Sequence, residues 1–182
     1  MTKKNLIVGQ SGGPTAVINS SLYGVVSEGI AHSDEIGEVY GMVNGIEGFL
    51  EDRILNFREA LPGEQLDYLK HTPGAYLGSC RYKLPESLED PVYPELFRKF
   101  EEMNIGWFFY IGGNDSMDTV DKLSAYCKEQ GITDISVMGA PKTIDNDLVG
   151  TDHCPGFGSA AKYIGTTFAE LERDCHVYDT KA

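Results

Sequence analysis

The sequence lacks the features that mark membrane, secreted or nucleic-acid-binding proteins. No apolar run approaches the roughly 20 residues of a membrane-spanning helix, and the segment after Met1 enters a strand-like run without a signal peptide. The four cysteines are widely separated and never show the C-x-x-C spacing, which favours free thiols. Basic charge is also scarce, since the net charge is -13, whereas a nucleic-acid-binding face is basic and clustered. We therefore predict a cytoplasmic protein with no membrane or nucleic-acid partner.

What the sequence does contain is typical of one globular α/β domain spanning residues 1–182. Hydrophobic residues make up 41% and charged residues 24% of the chain, which is enough to build a core. Periodicity and glycine or proline signals predict the following strands: Asn5–Gly9, Glu38–Val43, Trp107–Ile111 and Asp134–Met138. The same signals predict the following helices: Thr15–Ile30, Pro94–Asn104, Gly112–Glu129 and Gly158–Glu172. This alternation indicates a doubly wound, mostly parallel sheet with helices on both faces.

Three predicted strands end in glycine-rich or polar loops, which are Gln10–Pro14, Gly112–Ser116 and Lys142–Asp147. The carboxyl ends of parallel strands meet at one edge of a sheet, so the three loops should form one cleft. Backbone N–H groups in such loops can approach an anion, and an adjoining helix start adds a favourable dipole. The first loop matches neither the dinucleotide-binding nor the Walker A pattern, and a purely structural Gly-Gly turn stays an alternative for it.

Charged side chains in these loops suit phosphoryl transfer. Lys142 can hold a phosphate, while Asp145 and Asp147 can divide the roles of proton acceptor and magnesium ligand. The alternative for this segment is a turn rich in Asp and Asn. Asn114 and Asp115 offer oxygen ligands, and their alternative role is to cap the following helix.

Five segments together resemble the phosphofructokinase family, in the family's order and over nearly the whole chain. The segments that carry the resemblance are Ser11–Gly13, Gly74–Arg81, Gly112–Ser116, Pro141–Asp147 and Gly150–Asp152. The Thr-Ile-Asp-Asn-Asp string that begins at Thr143 is the most specific of them. The resemblance implies the fold of a phosphofructokinase N-terminal domain and transfer of a phosphoryl group to fructose 6-phosphate in glycolysis.

The resemblance also implies roles for individual residues. Asp145 looks like the base that accepts the proton of the sugar's C1 hydroxyl, with Thr143 and Ile144 beside it among the substrate contacts. Gly12 looks like a backbone contact to the phosphoryl donor. Arg81 lies in a glycine-rich loop where a merely solvated side chain is the alternative, and it resembles the arginine that steadies the transferred phosphoryl group. Positioning and electrostatics are what such a transfer needs.

Two positions indicate the phosphoryl donor. ATP-using members of the family typically have glycine where this chain has Asp115, and many have glycine at the position of Lys142. Pyrophosphate-using members have Asp and Lys there, as this chain does. A carboxylate in that place would oppose an α-phosphate; at about 4 Å and an effective dielectric near 20, the repulsion is on the order of 4 kcal/mol. We therefore assign Asp115 and Lys142 to the catalytic set and expect pyrophosphate as donor.

The family also implies a magnesium ion, for which Asn114, Asp115 and Asp147 are the candidate ligands. Relatives that use ATP have an aspartate in place of Asn114, so the two carboxylates should carry more of the metal here. Family members continue into a further strand and a second domain, and are usually homo-oligomers. Because the sequence stops after Val177–Ala182 with no strand, we expect a truncated, donor-binding part of such an enzyme.

Two alternative functions remain open at this point. One is an ATP-dependent 6-phosphofructokinase, and the other is a non-catalytic phosphate-binding fragment. The sugar phosphate that accepts the phosphoryl group, the number of subunits and any allosteric control are not determined by these residues.

Overall fold

A computed structural model describes residues 3–177 as a five-stranded sheet covered by helices. In chain order the elements are β1 (Lys4–Gln10), α1 (Ile18–Ala31), β2 (Ile36–Met42), α2 (Gly45–Leu50), β3 (Ile54–Asn56), α3 (Phe57–Ala60), a 3₁₀ helix (Gly63–Lys70), α4 (Val92–Glu102), β4 (Ile105–Gly112), α5 (Asn114–Gln130), β5 (Ser136–Pro141) and α6 (Phe157–Val177). The segment that prompted the expectation of truncation, residues 178–182, lies outside the described residues.

The sheet has the strand order β3-β2-β1-β4-β5. Strand β1 pairs in parallel with β2 and with β4, and β4 pairs in parallel with β5. Only the edge strand β3 runs antiparallel to its neighbour β2. The prediction of a mostly parallel, doubly wound sheet is therefore confirmed. The chain reverses its winding direction between β1 and β4, and the crevice at such a point is where open α/β sheets bind ligands.

Alternation along the strands divides the core between the two faces of the sheet. Ile7 and Phe108 face one side, where they pack with residues of α2, α4 and α5. Leu6, Val8 and Ile111 face the other side, against the buried residues of α1 and the 3₁₀ helix. Successive strand residues point to opposite faces of the sheet. Because helices cover both faces, nearly every residue of an interior strand must be apolar.

Several local predictions need correction. Helix α1 begins at Ile18 instead of the predicted Thr15, because a turn at residues 16–17 precedes it. Residues 45–50, for which no helix was predicted, form α2 after Asn44 adopts a left-handed backbone with φ 62°. Strand β5 spans Ser136–Pro141 instead of the predicted Asp134–Met138, and it ends directly before the predicted loop that starts at Lys142. Strand β3 and the 3₁₀ helix were not predicted, because both are short and lack a clear period.

The remaining general expectations concern cysteines and membrane spans. All four cysteines are free thiols, as predicted, with Cys80, Cys127 and Cys154 buried and Cys175 exposed. Within residues 3–177, no helix combines the length and hydropathy needed to cross a membrane.

Candidate functional site

The three predicted loops meet at the carboxyl edge of the sheet and enclose two adjoining cavities. The first cavity has a volume of about 430 Å³ and is lined by Ser11, Gly12, Gly13, Cys80, Arg81, Tyr82, Gly113, Asn114, Asp115, Ser116 and Lys142. The second cavity has a volume of about 280 Å³ and is lined by Gly13, Pro14, Thr15, Gly113, Asn114, Lys142, Thr143, Ile144 and Asp145. The structure therefore brings every predicted catalytic and substrate-binding residue to one of these two cavities.

Lys142 lies between the two cavities and lines both. Its backbone N–H donates to the Gly112 carbonyl at 2.9 Å, and its ammonium group donates to the Gly13 carbonyl. The residue is only 5% exposed. Burial lowers the pKa of the ammonium group, and the nearby carboxylate of Asp145 partly opposes that shift. A partly desolvated cation at this point gains strength as a partner for any anion that enters either cavity.

Gly12 occupies a backbone position that favours glycine. Its φ of +78° lies in the left-handed region, and an added Cβ would be 3.4 Å from the Lys142 ammonium nitrogen. The Gly12 N–H donates to the Cys80 carbonyl at 3.4 Å, and its carbonyl accepts from the Ser79 hydroxyl. The glycine thus joins the loop after β1 to the loop that carries Arg81, and leaves the cavity wall free of side-chain atoms.

Asn114 and Asp115 do not cap α5. The N-cap residue is Gly113, which has no side-chain cap, so the capping alternative is wrong. The Asn114 amide instead donates to the Asp147 carboxylate at 3.1 Å. The Asp115 carboxylate pairs with the Lys83 ammonium at 2.9 Å, and both side chains are about two-thirds exposed, at 70% and 68%. The exposed Asp115 side chain therefore lies at the rim of the first cavity.

The turn after Lys142 is built by Asn146 rather than by the two aspartates. Asn146 has a φ of 56°, accepts from the Cys154 N–H at 2.9 Å and donates to the Asp152 carbonyl at 3.2 Å. The turn alternative therefore applies to Asn146. Asp145 uses its backbone N–H to donate to the Thr143 hydroxyl at 3.0 Å. Its exposed carboxylate lines the second cavity together with the half-exposed Ile144.

The three predicted magnesium ligands do not form one cluster. Within residues 3–177, no cluster of three or more His, Cys, Asp or Glu side chains could hold a metal ion. Asn114 and Asp147 are in contact, whereas Asp115 is engaged by Lys83. Hydrogen bonds from Asn114 and from the Thr143 hydroxyl lower the pKa of Asp147, which keeps this carboxylate ionised. Magnesium usually takes one or two protein oxygens beside water and phosphate, so this pair fits such an ion.

Arg81, Ser11 and Ser116 also line the first cavity. Arg81 is exposed, lines the first cavity and makes no ion pair with any of the residues 3–177. Lys83 was not predicted, because nothing in its local sequence separates it from an ordinary surface lysine. The buried Ser11 and Ser116 hydroxyls are 2.6 Å apart and join the two glycine loops. Each serine lies at one end of a glycine segment that carries the resemblance to the family.

Comparisons with known proteins agree with this geometry. The family model described as phosphofructokinase matches residues 5–178. The chain is 45% identical over 176 residues to the pyrophosphate–fructose 6-phosphate 1-phosphotransferase of Methylococcus capsulatus, and 42% identical over 175 residues to that of Halomonas elongata. Each match covers 96% of this chain and 41% of the relative. The chain thus spans about two-fifths of the length of these curated relatives.

A solved structure gives the same result for the fold. The crystal structure of a pyrophosphate-dependent phosphofructokinase from Nitrosospira multiformis superposes with a TM-score of 0.85 at 41% sequence identity. The match covers 94% of this chain and 42% of that chain.

Proposed function

The chain belongs to the phosphofructokinase family, and we propose that residues 1–182 form the donor-binding domain and catalytic loop of a pyrophosphate-dependent fructose 6-phosphate 1-phosphotransferase. Its support is the similarity to pyrophosphate–fructose 6-phosphate 1-phosphotransferases and the lining of the two cavities. Because the chain spans about 41% of those relatives, the activity, the substrates and any partner belong to the proposal.

The observation that carries the proposal is the position of Lys142, a buried cation that lines both cavities. In the proposed reaction pyrophosphate occupies the first cavity and the C1 end of fructose 6-phosphate occupies the second. The C1 oxygen attacks the nearer phosphorus and forms a new P–O bond, while the bridging P–O bond breaks and orthophosphate leaves. Asp145 takes the hydroxyl proton, and Lys142 and Arg81 face the charge on the transferred group. Fructose 1,6-bisphosphate is the product.

Donor choice is assigned to the rim of the first cavity. Asp115 places a carboxylate there, and that charge opposes the additional phosphate of a nucleotide. Lys83 holds the carboxylate in place, and its positive charge reduces the repulsion between that carboxylate and pyrophosphate. An ATP-dependent enzyme is the alternative, and a donor assay distinguishes the two.

Magnesium is part of the proposal because membership of the family implies this metal ion. When bound, the ion would neutralise charge on the diphosphate; Asn114 and Asp147 are the side chains that would hold it. Asp115 is a weaker candidate than predicted, because Lys83 engages its carboxylate. The remaining expectations, action in the cytoplasm and assembly into a homo-oligomer, also stay proposals; the four free cysteines are in keeping with a reducing compartment.

The direct test is a coupled assay of fructose 1,6-bisphosphate formation by the purified protein, with fructose 6-phosphate, Mg²⁺ and either pyrophosphate or ATP. We expect turnover with pyrophosphate and little with ATP. Turnover with ATP alone would contradict the donor assignment. Binding of pyrophosphate measured by calorimetry, in the absence of turnover with either donor, would favour the non-catalytic phosphate-binding alternative.

A further inference from the structure

Two buried carboxamides lie behind the first cavity and touch neither of the two cavities. Gln10 is the last residue of β1 and is fully buried, and Asn19 is the second residue of α1 and is 1% exposed. The Gln10 amide nitrogen donates to the Asn19 amide oxygen at 3.1 Å and to the Ile18 carbonyl at 3.2 Å. Buried amides are costly unless paired, so such a fully bonded pair holds its partners in defined positions.

The remaining bonds of the pair all go to the loop that carries Arg81. The Gln10 amide oxygen accepts from the Leu77 N–H at 2.9 Å. The Asn19 amide oxygen accepts from the Tyr76 N–H at 2.8 Å, and its nitrogen donates to the Thr72 carbonyl at 2.9 Å. Three backbone groups of an irregular segment are thereby fixed to the end of β1 and the start of α1. The segment otherwise belongs to no helix or strand.

The fixed residues adjoin the cavity wall directly. Leu77 is buried, and its carbonyl accepts from the Asn44 N–H at 2.7 Å. Two residues later the Ser79 hydroxyl donates to the Gly12 carbonyl, and the Cys80 carbonyl accepts from the Gly12 N–H. Arg81 follows at once. Its guanidinium has no ion-pair partner among residues 3–177, so its position depends on the backbone that carries it.

From these contacts we propose that Gln10 and Asn19 are positioning residues that set the place of Arg81 against the transferred phosphoryl group. The inference rests on the proposed function, because it takes Arg81 as a catalytic residue. A displacement of about 1 Å at a reacting group can cost on the order of a hundredfold in rate. Loss of the amide pair therefore lowers the rate of the chemical step, while fructose 6-phosphate, which occupies the other cavity, binds as before.

The test is a double-mutant cycle of Asn19→Ala with Arg81→Ala in the coupled assay with pyrophosphate. We expect Asn19→Ala alone to lower kcat about ten- to a hundredfold, with KM for fructose 6-phosphate changed less than twofold. In the Arg81→Ala background the same substitution should lower kcat less than about twofold, because the residue it positions is gone. Equal fold losses in both backgrounds would overturn the inference.

Asn5→Ala is the matched control, since Asn5 makes a similar set of bonds at the opposite end of β1. Its side chain donates to the Met103 carbonyl at 2.7 Å and accepts from the Glu38 N–H at 2.8 Å. We expect Asn5→Ala to lower the melting temperature while kcat stays unchanged. A drop in kcat equal to that of Asn19→Ala would mean that general destabilisation, rather than positioning, explains both.

Two further measurements separate this inference from the proposed function. If Asn19→Ala does not fold, Asn19→Leu replaces it; this neutral side chain of similar size fills the space of the amide without its hydrogen bonds, and a similar kcat loss is expected. Hydrogen exchange of the peptide containing residues 72–81 does not depend on activity. Exchange should be faster in the Asn19 variant than in wild type or Asn5→Ala. Unchanged exchange would overturn the inference even if the enzyme is active, whereas faster exchange in a protein without turnover would count only against the proposed function.

Discussion

The charge on Asp115 should decide how strongly the protein rejects ATP. For two unit charges about 4 Å apart, the repulsion is about 4 kcal/mol at an effective dielectric near 20 and about 1 kcal/mol in water. The side chain is 70% exposed and lies 2.9 Å from the Lys83 ammonium, which cancels part of its charge. The structure therefore places the repulsion toward the lower limit, at roughly 1–2 kcal/mol, or about a five- to thirtyfold effect on affinity.

Two substitutions separate the charge of Asp115 from its volume. Asp115→Asn removes the charge and keeps the size, while Asp115→Gly removes both. If charge dominates, each variant raises kcat/KM for ATP about tenfold relative to pyrophosphate; if volume dominates, only the glycine variant does. The coupled assay with both donors measures the ratio directly.

Asp134→Asn is the control for this experiment. Asp134 is 68% exposed and pairs with Lys4 at 2.7 Å, which closely matches the pair at Asp115, but it lies at the amino end of the sheet. Its substitution should leave the donor ratio unchanged. A ratio that stays constant in both Asp115 variants would refute the idea that this side chain excludes the nucleotide.

Three other substitutions test the site. Asp145→Asn should lower kcat about a hundred- to ten-thousandfold with an unchanged melting temperature, since the carboxylate is exposed; a loss below about tenfold would assign the proton to another group. Lys142→Met should abolish turnover yet raise the melting temperature at neutral pH, because burial lowers the pKa of Lys142. The charged form of Lys142 therefore destabilises the folded protein at every pH below the folded-state pKa. The gain in melting temperature should fade as the pH rises toward the ordinary value of 10.5. Thermal melts across pH would check this, and a gain that grows with pH would contradict it. Gly12→Ala should cost roughly 1–2 kcal/mol of stability through its positive φ and weaken pyrophosphate binding in calorimetry; unchanged binding would remove Gly12 from the cavity wall.

Much of the fold was predictable because its signals are local. The apolar run at Trp107–Ile111 predicted a strand, and β4 forms there, between β1 and β5. Glycine after Gln130 ends α5 in the left-handed conformation, with φ 67°. The elements that escaped prediction, such as β3 and α2, are short. A few residues do not establish a period, and tertiary contacts rather than propensity stabilise them.

Residue types and glycine spacing were enough to identify which residues could carry phosphate chemistry and which loops would hold them. Residue type, glycine spacing and strand order along the chain are local or topological properties. The contacts between these residues could be seen only in the folded chain. Lys142 reaches the carbonyl of Gly13, 129 positions away, and Asp115 meets Lys83. Such pairs depend on which strand ends become neighbours and on how backbone packing directs each side chain, and neither is encoded within a few consecutive residues.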